Sequence, residues 1–156
     1  MRFFTRLNIP ALIRIMATQS ADLAFGTANE DKIKNQIEAI AGTPLIKQGG
    51  YSIMDYTNDI KTVYVELKTR RIRHNDYPTA LIGANKIEFC SDPSKAYYFV
   101  FCYSDGIYYI KYNDSDFNTF ERSDHYYRGE RSDCFNSVQS VFYIPIERLT
   151  EFKPIL

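Results

Sequence analysis

Residues 51–71, YSIMDYTNDIKTVYVELKTRR, decide how this chain folds. In 62–69, TVYVELKT, side chains alternate as they do in a strand. Val63, Val65 and Leu67 share one face, expected to supply the core, and Tyr64, Glu66 and Lys68 share the other. The preceding YSIMDY reads as a second strand, with Tyr51, Ile53 and Asp55 on one face and Ser52, Met54 and Tyr56 on the other. TNDIK between them reads as a turn. Ten residues separate Asp55 from Glu66, and a hairpin of that length brings the two acids together. Neighbouring carboxylates on a sheet repel unless a cation lies between them. Two carboxylates, a main-chain carbonyl and water are what Mg²⁺ prefers.

On the N-terminal side, Asn29 serves as N-cap for a helix in EDKIKNQIEAIAG, 30–42. Ile33, Ile37 and Ile40 mark one face and Gly42 is its stop. Glu30 and Asp31 lie in the first turn, where the helix dipole favours carboxylates. TPLIKQ, 43–48, is a short strand, and Gly49-Gly50 a turn.

On the C-terminal side, RRIRHNDYP, 70–78, is a polar loop whose Pro78 starts a second helix, TALIGANKIEFC, 79–90. KAYYFVFCYS, an Asp105-Gly106 turn and IYYIKY form a hairpin. Residues 113–139 hold six acids, three Arg and one His, and read as a long loop or insertion. SVFYIPI, 140–146, is the final strand. The order α, β, β, β, α, β, β, loop, β is that of an α+β domain with a mixed sheet.

At 156 residues the chain suits one domain with one core. Its 13 Tyr and 11 Phe against no Trp favour strands. A formal net charge of zero leaves no global field to recruit a polyanion, so any such site is local. The most basic window runs from Lys61 to Arg73, where Lys61, Lys68, Arg70, Arg71 and Arg73 face only Glu66; a solvated charged face is its plainer reading. Three cysteines without CxxC spacing argue against a zinc site or a disulfide framework. Cys90 and Cys102 read as core thiols, and neither His74 nor His125 has the partners a triad needs. No run of eighteen apolar residues exists, which excludes a transmembrane helix. Residues 1–20, with Arg2, Arg6 and Arg14 and no acid, read as a peripheral N-terminal extension to a single domain over 21–156. The expected location is intracellular, cytoplasmic or nuclear, without secretion.

Glu-x-Lys occurs three times, at Glu30, Glu66 and Glu151, and only the middle copy lies in a hydrophobic strand. With Asp55 in IMDY, Glu66 and Lys68 in VELKTR and Glu30 in ANEDKI, the chain resembles the PD-(D/E)XK nuclease superfamily. The stretch through YPTALIGANKIEF is similar to small nuclease-like proteins of phages and large DNA viruses. The resemblance spans roughly residues 24–112, and Met54 stands where the family often has Pro.

The resemblance implies a restriction-endonuclease-like fold, αβββαβ with a hairpin extension and a final strand, its mixed sheet flanked by helices. It implies a Mg²⁺- or Mn²⁺-dependent endonuclease acting in viral or phage replication, recombination or repair. Asp55, Glu66 and the Leu67 carbonyl would hold the metal, Lys68 would position water or neutralise charge, and Glu30 would act through water. Arg70, Arg71 and Arg73, with Asn85 and Lys86, would contact nucleic acid, DNA ahead of RNA. No membrane partner is implied, and a homodimer suits cutting of both strands. The alternatives are a binding module that keeps the fold without cutting, and an interaction protein in which Glu66 and Lys68 are a surface ion pair.

Overall fold

A computed structural model describes residues 31–127 and 138–154. By internal contacts the chain divides into two units, 1–36 and 37–156. The described part of the first is helical, and the sheets, core and site described below lie in the second. Asn29, Glu30, Cys134 and the 1–20 extension lie outside the described residues.

Helix α1 covers 31–41 and ends where expected. Gly42 takes φ +74°, a left-handed conformation that suits glycine, and its amide donates to the Glu38 carbonyl at 2.8 Å. The Glu38 carboxylate then accepts the Leu45 amide at 2.7 Å, turning the chain towards β1, Ile46–Lys47.

The fold is α+β around a mixed central sheet of six strands. Its strands are β1, β2 (Tyr56–Thr57), β3 (Val63–Thr69), β5 (Ala96–Tyr103), β6 (Gly106–Lys111) and β9 (Thr150–Phe152), in that order. All neighbours are antiparallel except β3 and β5, which run parallel with Glu66 beside Phe99 and Lys68 beside Phe101. A second sheet places β8 (Val138–Pro145) between β4 (Thr79–Gly83) and β7 (Glu121–Tyr127).

Several expectations need correction. The strand anticipated over 51–56 shrinks to β2, because 51–55 bend: the Ser52 amide donates to the Gly49 carbonyl at 3.0 Å, forming a turn. The second helix is only Ala84–Phe89, α2, and Thr79–Gly83 before it is a strand. There Ala80 and Ile82 are buried alternately with half-exposed neighbours, and each residue has a β8 partner. Pairing to β8 thus overrides the apolar spacing that suggested a helix. The polar segment 113–139 is not one loop. It contains a helical turn, α3 (Asp114–Phe117), N-capped by Asn113 through the Asp116 amide, and β7, held by β8 with a bulge between Ser123 and Tyr126. Residues 128–137 lie outside the described part.

The core also departs from expectation. Residues of β3 and β5 paired in parallel share a face, so Tyr64, Glu66 and Lys68 lie beside Tyr97, Phe99 and Phe101. That face carries an apolar core cluster in which Phe99 and Phe101 join Ile82, Ile87, Phe117 and Ile144. Val65 and Val100, on the opposite face, are also fully buried. Both faces of β3 are therefore covered, as parallel strands require. Cys90 and Cys102 are buried free thiols, pushed by burial up to about 12 and about 11.

Candidate active site

The turn from β2 to β3 is built by one side chain. Asn58, 5% exposed, accepts the amides of Thr62 and Val63 at 2.8 and 3.0 Å and donates to the Thr62 hydroxyl at 2.9 Å. This loop of hydrogen bonds sets the register that pairs Tyr56 with Val65. Continued one residue, the same register puts Asp55 opposite Glu66, past the end of the ladder.

Asp55 uses that position. Its Oδ2 accepts the Leu67 amide at 2.8 Å, replacing a ladder bond with a carboxylate and fixing the side chain against β3. The N–H and C=O of a strand residue point to the same edge, so the Leu67 carbonyl shares the edge that Asp55 caps.

Glu66 is 2% exposed. Burial raises its pKa above the usual 4.5, and the Asp55 charge adds to the rise; Lys68 and Lys86 pull the other way. Lys68 Nζ lies 2.9 Å from Oε1, so the strand neighbours form an ion pair, as alternation requires. Lys86 Nζ lies 3.3 Å from Oε2 and bonds the Ile53 carbonyl. That contact is an ion pair, and Oε2 makes no hydrogen bond among the described residues. A buried carboxylate oxygen without a hydrogen bond is uncommon, and a ligand position is one physical explanation.

The structure thus brings together Asp55, Glu66, Lys68 and Lys86. Lys86 was expected to face nucleic acid, yet its ammonium turns onto the acid pair; no spacing in the sequence signals this, since it depends on where the short helix α2 docks. Asn85 is exposed beside it, its Oδ1 so near Gly83 that a Cβ there would lie 2.7 Å away. Arg70, Arg71 and Arg73 are exposed on the loop after β3. The Arg70 amide donates to the Cys102 carbonyl at 2.8 Å, which ties the start of this loop to β5.

His74, in the same loop, has the partner that sequence reading did not find. Its amide donates to Asp105 Oδ1 at 2.9 Å, its Nδ1 lies 2.5 Å from Oδ2, and its ring stacks on Tyr108 at 4.4 Å. No nucleophile accompanies the pair in these contacts, so it reads as a tether of the arginine loop to the β5–β6 turn.

Among the described residues no group of three or more His, Cys, Asp and Glu side chains could hold a metal. Two carboxylates do lie opposite each other in the register, however, and one has a buried oxygen without a hydrogen bond, on the strand edge to which the Leu67 carbonyl points. That donor set fits a hard divalent cation, which takes carboxylate, carbonyl and water oxygens. Among the described residues no helix is long and apolar enough to cross a membrane.

A family model described as "Phage putative PDDEXK endonuclease" matches residues 17–153, from before α1 through β9. No curated protein matches the chain. The match runs well beyond the 24–112 of the sequence resemblance and takes in the second sheet and the final strands. A match over most of the sequence shows that the chain belongs to this phage PD-(D/E)XK endonuclease family.

Proposed function

We propose that this protein is a metal-dependent nuclease that hydrolyses nucleic-acid phosphodiesters, most readily in DNA, during phage replication, recombination or repair. The observation that supports this best is the pairing of Asp55, fixed by the Leu67 amide, with a buried Glu66 whose Oε2 has no hydrogen bond. Asp55, Glu66 and the Leu67 carbonyl would hold Mg²⁺ or Mn²⁺. When bound, such an ion supplies Lewis-acid stabilisation and makes a coordinated water more acidic.

The chain's own residues do the rest. Lys68, held 2.9 Å from Glu66 and partly open to solvent, presents an ammonium to the attacking water or to charge growing on the phosphate. Lys86 gives a second positive charge on the same acid, and Arg70, Arg71 and Arg73 would bind the phosphates that follow. Glu30 would contribute through a water molecule. The test is incubation with single-stranded, duplex and branched DNA and with RNA, in Mg²⁺, Mn²⁺ or EDTA. Cleavage that needs metal and disappears in Asp55→Ala and Glu66→Ala supports the reading; activity surviving either substitution overturns it.

One observation favours a second reading. Lys86 Nζ lies 3.3 Å from Glu66 Oε2 and supplies a positive charge to that acid, as it would in a non-cutting module that keeps the fold. Salt-sensitive binding without metal-dependent cleavage, lost when Arg70, Arg71 and Arg73 become Ala, would select it.

A further inference from the structure

The face of β3 and β5 that carries Glu66 and Lys68 continues into an aromatic recess. A cavity of about 250 Å³ is walled by Lys68, Arg70, Leu81, Gly83 and Tyr126 among others. Arg70, Leu81 and Tyr126 also wall a neighbouring cavity of about 330 Å³, whose remaining lining includes Tyr77, Phe101 and Tyr103. Sharing these three wall residues, the two spaces lie side by side between Lys68 and a cluster of rings. Along the parallel pair, Phe101 sits beside Lys68, and Tyr103 lies two residues further on the same face, a step of about 6.6 Å.

The chemistry changes across the two spaces. One end is lined by Lys68, the shared wall by Arg70 and Tyr126, and the far end by Tyr77 and Tyr103. Tyr103 stacks on Phe101 at 6.1 Å between ring centres, while Tyr77 is 62% exposed. A cationic middle beside an apolar, aromatic pocket matches a nucleotide, whose phosphate pairs with Arg and whose base stacks on Tyr. A base within a duplex has both faces covered by its neighbours and cannot enter such a pocket without leaving the stack.

We infer that this recess receives one unpaired base next to the scissile phosphate, with Arg70 on that nucleotide's phosphate. The preferred substrate is then single-stranded or flapped nucleic acid, and intact duplex is disfavoured. This rests on the nuclease reading above for the position of the scissile phosphate. The binding of an unpaired base can be measured without cleavage.

The probe is a short oligothymidylate carrying a single 2-aminopurine, scanned through its positions, mixed with the full chain in EDTA. Stacking on tyrosine quenches the fluorescence of 2-aminopurine, so binding is expected to quench it. Tyr77→Ala and Tyr126→Ala are expected to reduce that quench and to weaken binding about fivefold or more, the value of a lost base stack. The same strand annealed to its complement is expected to bind more weakly and to show no added quench. Equal affinity for strand and duplex, or quenching unchanged in Tyr77→Ala, overturns the inference. Tyr77 is exposed enough that its variant keeps the fold, so an unchanged result there is decisive. If cleavage depends on Asp55 but the tyrosine variants keep the wild-type ratio of strand to duplex cutting, the recess fails and the active site stands. If nothing is cut but quenching depends on Tyr77 and Tyr126, the recess stands and the catalytic reading fails.

Discussion

Lys68 Nζ lies 2.9 Å from Oε1 of Glu66, while Oε2 of the same buried carboxylate makes no hydrogen bond among the described residues. Two residues apart on a strand, the pair must share a face, and parallel pairing with β5 pushes that face into the core. Burial without a full set of partners costs free energy, typically about 1–3 kcal/mol for one unsatisfied group. A chain that keeps such an arrangement gives up stability at this carboxylate, a pattern found at functional sites.

Glu66→Gln should therefore melt higher than wild type in EDTA while losing divalent-ion binding. The folded pKa of Glu66 is raised above 4.5, so the stability of its neutral form is complete below that value and is lost as pH rises through the folded value. Glutamine cannot ionise, and its advantage should grow across that window and then level off. Calorimetric melting from about pH 4 to about pH 8 reads this directly, each kcal/mol appearing as about 2–4 °C at this size. A variant that melts lower at every pH contradicts it.

Asn58→Ala removes the acceptor for the Thr62 and Val63 amides. Leaving those half-buried donors unpaired should cost about 2–3 kcal/mol and lower the melting midpoint by about 4–12 °C. Because this turn sets the register that places Asp55 opposite Glu66, Mn²⁺ affinity should fall too. Unchanged affinity would show that the register survives without Asn58.

Lys86 shares Glu66 with any incoming cation. Lys86→Met should bind Mn²⁺ more tightly in the absence of nucleic acid, by about threefold to tenfold, or about 1 kcal/mol, once this competing charge is gone. Isothermal titration of the free protein measures it. Weaker binding would mean that Lys86 organises the site instead of competing for it.

Asp105→Ala should release the arginine loop from the β5–β6 turn. Hydrogen bonds from His74 hold the Asp105 carboxyl below its usual 3.8, so the tether is present above that value and is lost as pH falls through the lowered one. Limited trypsin digestion should cut faster after Arg70, Arg71 and Arg73 in the variant at neutral pH, with the global midpoint little changed. Equal cleavage rates would show that the loop is held by other contacts.

The parts of the fold that could be read in the sequence are those whose local pattern and long-range pairing agree. VYVELKT, AYYFVFCY and GIYYIK alternate or run apolar, have turn residues at their ends, and are strands within a residue of expectation. Thr79–Gly83 misled because Leu81 and Ile82 suit a helix as well as a strand, and only β8, far away in sequence, decides between them. Glu121–Tyr127 was hidden because most of its residues are exposed, so an edge strand of the second sheet has little apolar signature. Asp55, Glu66 and Lys68 were legible because they lie within one hairpin. Lys86 and the His74–Asp105 tether were not, since each joins segments about thirty residues apart whose proximity is a product of the tertiary fold.

Diffraction from crystals soaked in Mn²⁺, recorded at the manganese absorption edge, tests the central claim most directly. One anomalous peak bounded by Asp55, Glu66 and the Leu67 carbonyl, with Lys86 displaced from Oε2, is the predicted result. No peak at that position under saturating Mn²⁺, with Lys86 still against Glu66, would contradict it.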